Sequence, residues 1–149
     1  MNSGPSWMEI NWNGFLKIAV EEYPKEACAF LFSNKPYSPD EEWFVFPVKN
    51  VSTTPETKWE PDKKKLQIIK SKAKAKGLTQ IGNVHTHPYD PNEDIEKLLL
   101  PSPIDLAYAR RYKDIIRIIL VADDKSIHGM RIHDKFDNQI PIVLKEIIS

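Results

Sequence analysis

The stretch from Gly82 to Leu106 reads GNVHTHPYDPNEDIEKLLLPSPIDL: a strand that ends on two histidines, a connection, and a helix start. His85 and His87 are two residues apart, so on an extended strand their rings point to the same side and can share one ion. Pro88 ends the strand after them, because it has no N–H for a ladder and restricts the residue before it. Ser102-Pro103-Ile104-Asp105 then has the form of a helix start, with Ser102 as N-cap, Pro103 at the first helical position and Asp105 at the third. Asp105 is thereby placed to be a third ligand. Two imidazoles, one carboxylate and an open fourth position are what catalytic zinc uses, whereas a structural site closes its coordination with four protein ligands. Such an ion lowers the pKa of bound water from about 15.7 to roughly 7. A base is the remaining requirement, and Glu26 is the candidate.

Working outward, Glu26 stands at the edge of a short apolar run ending at Phe32, of strand length and suited to a central strand covered on both faces. Before it, Phe15, Leu16, Ala19 and Val20 mark one face of a helix over residues 12–23, with Asn11 or Asn13 as cap and Pro24 as its end. After it, Ser33 to Asp40 reads as a turn and Glu42 to Val48 as a second strand, together a hairpin. Asn50 to Pro61 is a loop expected near the site. Pro61 to Lys76 is helical: Leu66, Ile69 and Ala73 share a buried face, lysines cover the rest, and Gly77 stops it. The metal-bearing strand spans Thr79 to His85.

In the connection from Tyr89 to Leu100, four carboxylates face a single lysine, Lys97. Here Ile95, Leu98, Leu99 and Leu100 are expected to anchor a helical turn whose acidic side borders the cleft and selects a basic residue near the reacting bond. A third helix over Ser102 to Lys113 would align Leu106, Ala109 and Tyr112. Ile115 to Ala122 and Ile127 to Asp134 form a hairpin expected to close the sheet. His128 and His133, five apart on it, read as ordinary surface or core residues. Periodicity leaves Ile140 to Ile148 open between strand and helix.

The length, 149 residues, fits one domain over residues 1–149 with a single core. Lys+Arg and Asp+Glu are 21 each, for a formal net charge of +0, so total charge predicts neither a membrane nor a nucleic-acid partner. The single cysteine, Cys28, excludes an internal disulfide framework, suits a reducing cytoplasm and reads as a small core residue. The first residues lack the basic and apolar runs of a signal peptide, and no apolar run approaches the roughly 20 residues needed to cross a bilayer. A soluble, cytoplasmic protein is expected.

Pro24-Lys25-Glu26-Ala27-Cys28-Ala29-Phe30-Leu31, His85-x-His87-Pro88 and Ser102-x-x-Asp105, taken in order, resemble the JAMM/MPN zinc metalloprotease family in a minimal prokaryotic or phage-like form. The likeness extends to Phe46-Pro47-Val48-Lys49-Asn50 and Lys58-Trp59-Glu60-Pro61-Asp62, and covers roughly residues 11–135. It departs in having Ala29 where the family usually has glycine, and in a longer connection from His87 to Ser102.

The resemblance implies an α/β fold of the α+β kind, cytidine-deaminase-like, with a central mixed, largely antiparallel, curved β-sheet flanked by helices. It implies one Zn2+ per chain held by His85, His87 and Asp105, with Glu26 as general base and Ser102 steadying the tetrahedral intermediate. The implied activity is an isopeptidase acting at the C-terminal tail of a ubiquitin-like protein or its conjugate. Minimal relatives of this kind accompany bacterial ubiquitin-like conjugation or antiphage signalling. Alternatives are a phage-tail peptidase cutting cell-wall peptides, whose usual attached cysteine-peptidase domain finds no room in this chain, and a non-catalytic MPN scaffold, which would have lost ligands. A DNA-associated role through the lysine helix would show as salt-sensitive DNA binding.

Overall fold

A computed structural model describes residues 6–34, 43–103, 105–107, 116–133 and 139–141, with side chains described for 14–34, 44–103, 105–107 and 116–132. Its elements are α1 (Ser6–Glu22), β1 (Cys28–Ser33), β2 (Trp43–Val48), α2 (Lys63–Ala75), β3 (Thr79–Pro88), α3 (Ile95–Leu98), β4 (Ile116–Ala122), β5 (Ile127–His133) and β6 (Gln139–Pro141). The six strands form one sheet in the order β2-β1-β3-β4-β5-β6. Only β3 and β4 pair in parallel; the other neighbours are antiparallel. This is the mixed, largely antiparallel α+β sheet that the resemblance implied. Pro47 is accommodated because β2 is an edge strand, where a missing N–H leaves no ladder partner unpaired.

Every residue of β1 is buried, because helices cover both faces of the sheet. On one face Phe15, Leu16 and Ala19 of α1 pack on Ala29, Leu31, Val84, Ile118 and Leu120. On the other, Ile69 and Ala73 of α2 meet Cys28, Phe30, Phe32 and Trp59. The turn around α3 adds Leu99, which packs on Ile119 and Val121. Gly129 on β5 leaves room for that turn: a Cβ there would stand 3.2 Å from a Leu99 methyl. Asp62 caps α2 by accepting from the N–H groups of Lys64 and Lys65, and Gly77, at φ 72°, ends it. The lysines of α2 lie exposed on its outer side.

Several boundaries differ from those read in the sequence. The helix α1 spans Ser6–Glu22, so Asn11 and Asn13 lie within it rather than at its start. No proline or glycine between Ser6 and Asn13 stops the backbone from continuing. Strand β3 runs on through His87 to Pro88, because its parallel pairing with β4 extends to His87↔Val121 and Pro88↔Ala122. The β4–β5 hairpin does not close the sheet, since β6 pairs beyond it. Leu100 and Leu106 are exposed rather than anchoring: Leu99 takes the buried position in the first case, and Asp105 turns inward in the second. Of the third helix only 103 and 105–107 are described. The turn beyond Asn34 and the tail after Pro141 lie outside the described residues.

Gly82 faces the strongest steric demand in the sheet, because a Cβ there would run into the Ile116 carbonyl oxygen where β3 and β4 pair. Gly82→Ala is therefore expected to destabilise the fold by about 1–3 kcal/mol, in the range of overpacking substitutions. Urea denaturation would measure it, and stability within about 0.5 kcal/mol of wild type would contradict this packing.

Candidate metal centre

The site lies where the start of β1 meets the end of β3. Antiparallel pairing sets Cys28 opposite His85. One residue further on, the Ala27 N–H donates to Thr86 Oγ1 (2.8 Å) and the Thr86 N–H donates to the Ala27 carbonyl (3.0 Å). These two bonds bring Glu26, just before the strand, alongside the two histidines. The loop from Asn50 to Pro61 fixes Glu26 from the other side. Its N–H donates to the Pro55 carbonyl (2.6 Å), and its carbonyl accepts from Asn50 Nδ2 (2.8 Å). The same Asn50 amide donates to the Lys58 carbonyl and accepts from the N–H groups of Ser52 and Glu60, so one side chain organises the loop.

His85 and His87 project to the same face, as the alternation predicted. His85 stacks on Trp59 with ring centroids 5.5 Å apart and 24° between planes. His87 Nδ1 lies 2.6 Å from the Leu98 carbonyl oxygen, which can only accept, so Nδ1 carries the proton and Nε2 faces the cluster. Metal-binding histidines are commonly oriented in this way by a carbonyl behind the ring. Ser102 and Asp105 form a reciprocal cap: the Asp105 N–H donates to Ser102 Oγ (3.1 Å) and the Ser102 N–H donates to Asp105 Oδ2 (2.9 Å).

Asp105 Oδ2 lies 3.2 Å from His85 Nε2 and 3.1 Å from His87 Nε2, and the two ring nitrogens are 3.2 Å apart. A tetrahedral ion with bonds of about 2.0–2.1 Å spaces its ligand atoms about 3.3 Å apart. The spacing of this triangle of two imidazole nitrogens and one carboxylate oxygen therefore matches that of such an ion's ligands. Glu26 offers a second carboxylate, with its ligand atom within 4.8 Å of both histidines. Either acid could complete the donor set. The Asp105 triangle is the tighter, and Asp105 is already held by its cap.

Electrostatics separate the two acids. Burial pushes Glu26 up to about 8; His87 pulls it back only partly, and the nearby Asp105 charge adds to the rise. Burial also tends to raise Asp105, but hydrogen bonds from His85 and His87 outweigh it and hold that carboxyl well below the usual carboxylate range. Burial lowers the pKa of His85, whereas His87 is raised because its bonds to Asp105 and the Leu98 carbonyl, with the Glu26 charge, overcome burial. Cys28 is buried and pushed up to about 12 by its apolar surroundings and by Glu26, and its Sγ donates to the Val48 carbonyl, as befits a core residue. His128 is more engaged than its sequence suggested. It stacks on Tyr89, with centroids 3.7 Å apart, and pairs with Asp123 at 2.7 Å.

All five residues singled out in the sequence are thus brought together. The sequence reading missed Asn50, Thr86, the Trp59 stack and the Leu98 carbonyl. Thr86 sits between the histidines, yet its role depends on a cross-strand partner. The carbonyl of Leu98 is a backbone atom and has no sequence signature.

Residues 11–133 match the family described as prokaryotic homologs of the JAB domain, and the chain belongs to it. The solution structure of a protein from Desulfitobacterium hafniense is similar in fold, at 23% identity and a TM-score of 0.63 over 93% of this chain and 90% of that one. The solution structure of a Salinibacter ruber protein is similar at 18% identity, TM-score 0.58, over 97% and 90% of the two chains. A crystal structure of a JAB1/MPN domain protein from Archaeoglobus fulgidus matches at 20% identity and TM-score 0.49, over 89% of this chain and 91% of that one. No curated protein matches the sequence. Among the described residues no helix is long and apolar enough to cross a membrane.

The metal-free protein carries a testable signature of this electrostatics. Folded, Glu26 keeps its proton to about pH 8, whereas the unfolded chain releases it near its ordinary value of 4.5. The folded state therefore binds more protons in that window, and stability falls as pH rises through it. His87, raised as well, acts in the same direction above its ordinary value of 6.5, while His85 opposes only below 6.5. Between about pH 7 and 8 chelator-treated protein should lose stability, with Glu26 contributing up to about 1.4 kcal/mol per pH unit, and Glu26→Gln should flatten the slope. Equal slopes in the two proteins, measured by urea denaturation, would contradict the buried, protonated Glu26.

Proposed function

We propose that the protein is a zinc-dependent peptidase of the isopeptidase type, hydrolysing an amide at the C-terminal tail of a ubiquitin-like protein or its conjugate. The observation that carries this reading is the triangle of His85 Nε2, His87 Nε2 and Asp105 Oδ2, with sides of 3.1 to 3.2 Å, beside a buried acid of raised pKa. In this reading His85, His87 and Asp105 hold the ion, and Glu26 stays outside its coordination.

Zinc bound there supplies Lewis acidity toward a carbonyl oxygen and makes water nucleophilic near neutral pH. Glu26 takes a proton from the attacking water and passes it to the leaving amine. Its carboxylate, within 4.8 Å of both histidine ligand atoms, is placed for both steps. Ser102 Oγ accepts the Asp105 N–H, which leaves its own O–H to donate to the oxyanion of the tetrahedral intermediate. Loop 50–61 holds Glu26 at its backbone, so the base is positioned before substrate arrives.

The segment between His87 and Ser102 supports the substrate side of the proposal. By placing the Leu98 carbonyl on His87 it borders the centre, and Glu93 and Glu96 are exposed on it. Asp94 is committed to capping α3 through the Glu96 N–H. Asp90 likewise accepts the Asn92 N–H, which leaves Glu93 and Glu96 as the acids available to receive a basic residue of an entering tail.

Elemental analysis is expected to find one zinc per chain in the wild type and in Glu26→Gln, and little in His85→Ala or Asp105→Ala. Glu26→Gln should lower the rate on a ubiquitin-like tail joined to lysine by about 10²- to 10⁴-fold. Equal metal in all four proteins would overturn the ligand assignment, and full activity in Glu26→Gln would remove it as base.

Changing Glu93 and Glu96 together to Gln should shrink the preference for substrates with a basic residue near the scissile bond. Zinc content and melting temperature should stay unchanged. An unaltered preference on matched substrates would mean that this segment only borders the site.

A further inference from the structure

Beside His85 and Asp105 lies a small cavity of about 20 Å³ lined by these two residues and by Trp59, Asn83, Pro101, Arg117 and Ile119. Two polar atoms of its lining residues, Asn83 Nδ2 and His85 Nδ1, are buried without a hydrogen-bond partner among the described residues. Both residues are almost wholly enclosed, at 2% and 4% exposure. An orphaned buried polar group costs about 1–3 kcal/mol, so two of them beside one cavity call for a shared partner. About 10–15 Å³ suffices for one water, provided that two to four polar groups surround it.

We propose that this cavity is a built water site and that Asn83 is a positioning residue, holding the water against His85 Nδ1. Alternation along β3 sets Asn83, His85 and His87 on one face, so the amide lies next to the imidazole it serves. The water accepts from Asn83 Nδ2 and has the Asp105 carboxylate within the same lining. At His85 it either donates to Nδ1 or accepts from it. That versatility distinguishes His85 from His87, whose Nδ1 faces a carbonyl that only accepts. When Nε2 of His85 serves as a ligand, the ring proton sits on Nδ1 and the water accepts it, completing for His85 the support that Leu98 gives His87. The link to metal affinity rests on the proposed metal centre; the water site does not.

Three measurements on the full chain test this. A wild-type crystal structure at a resolution that orders waters should show one within hydrogen-bond distance of both Asn83 Nδ2 and His85 Nδ1; a dry cavity overturns the proposal. Asn83→Leu should weaken zinc affinity by about 10- to 100-fold in a chelator competition, with Asn83→Ser, which retains a polar group, recovering part of it. In zinc-loaded protein labelled with 15N in its imidazoles, Asn83→Leu should shift the His85 Nδ1–H resonance and leave that of His87 in place. Affinity within about twofold of wild type, with an unmoved His85 resonance, would reduce Asn83 to a packing residue and overturn the positioning role. If Asn83→Leu fails to fold, Asn83→Ser and the crystal structure still decide. If the wild type binds no zinc, the metal-centre reading fails and the crystal structure alone judges the water site.

Discussion

The register between β1 and β3 is the constraint on which the centre depends. Side chains alternate across a strand, so a one-residue slip would either send His85 and His87 to the α1 face or carry Cys28, Phe30 and Phe32 away from α2. Several features resist such a slip. The β1 run is buried on both faces, Thr86 and Ala27 exchange bonds at the end of the ladder, and Gly82 admits the Ile116 carbonyl at one position only. Because β1 runs antiparallel to β3, the same register that sets the histidines also places Glu26, two residues before β1, at their side.

Gathering two carboxylates and two imidazoles in a buried space is costly, and the surrounding structure is arranged to bear it. Asp105 is held by the Ser102 N–H as well as by both rings, His87 by the Leu98 carbonyl, and the backbone of Glu26 by Pro55 and Asn50. The result is polarised: one acid keeps its charge far below the usual range, while the other is lifted to about 8. Divergent pKa values in neighbouring acids fit separate roles, one as ligand and one as proton carrier. The difference comes from the hydrogen bonds that His85 and His87 give to Asp105, to which the Ser102 N–H adds, whereas burial dominates at Glu26.

Much of this was legible in the sequence wherever the signal was local. The two-residue spacing of His85 and His87 fixed their common face, and Ser102-Pro103-x-Asp105 announced its own cap. The helix α2 carried its stop signal in Gly77, while its cap, Asp62, was not read. Other features depend on atoms that a sequence does not name. Asn50 resembles any loop asparagine until its amide is seen to join Glu26, Lys58 and Glu60. The carbonyl of Leu98 would serve equally from another residue type. The early extent of α1 was hidden because Met8 and Glu9 are the good helix formers among residues 6–13, and the rest are weak. Asn83 did offer a clue, as the polar member of a strand face otherwise read for its histidines.

The central claim is that His85, His87 and Asp105 hold one ion while Glu26 remains outside its coordination. A crystal structure of the zinc-loaded full chain, with anomalous scattering collected at the zinc edge, tests it most directly. The account predicts one zinc with bonds to Nε2 of His85, Nε2 of His87 and a carboxylate oxygen of Asp105, each about 2.0–2.2 Å, and the same three in Glu26→Gln. A bond from zinc to Glu26, or an ion bound without Asp105, would contradict it.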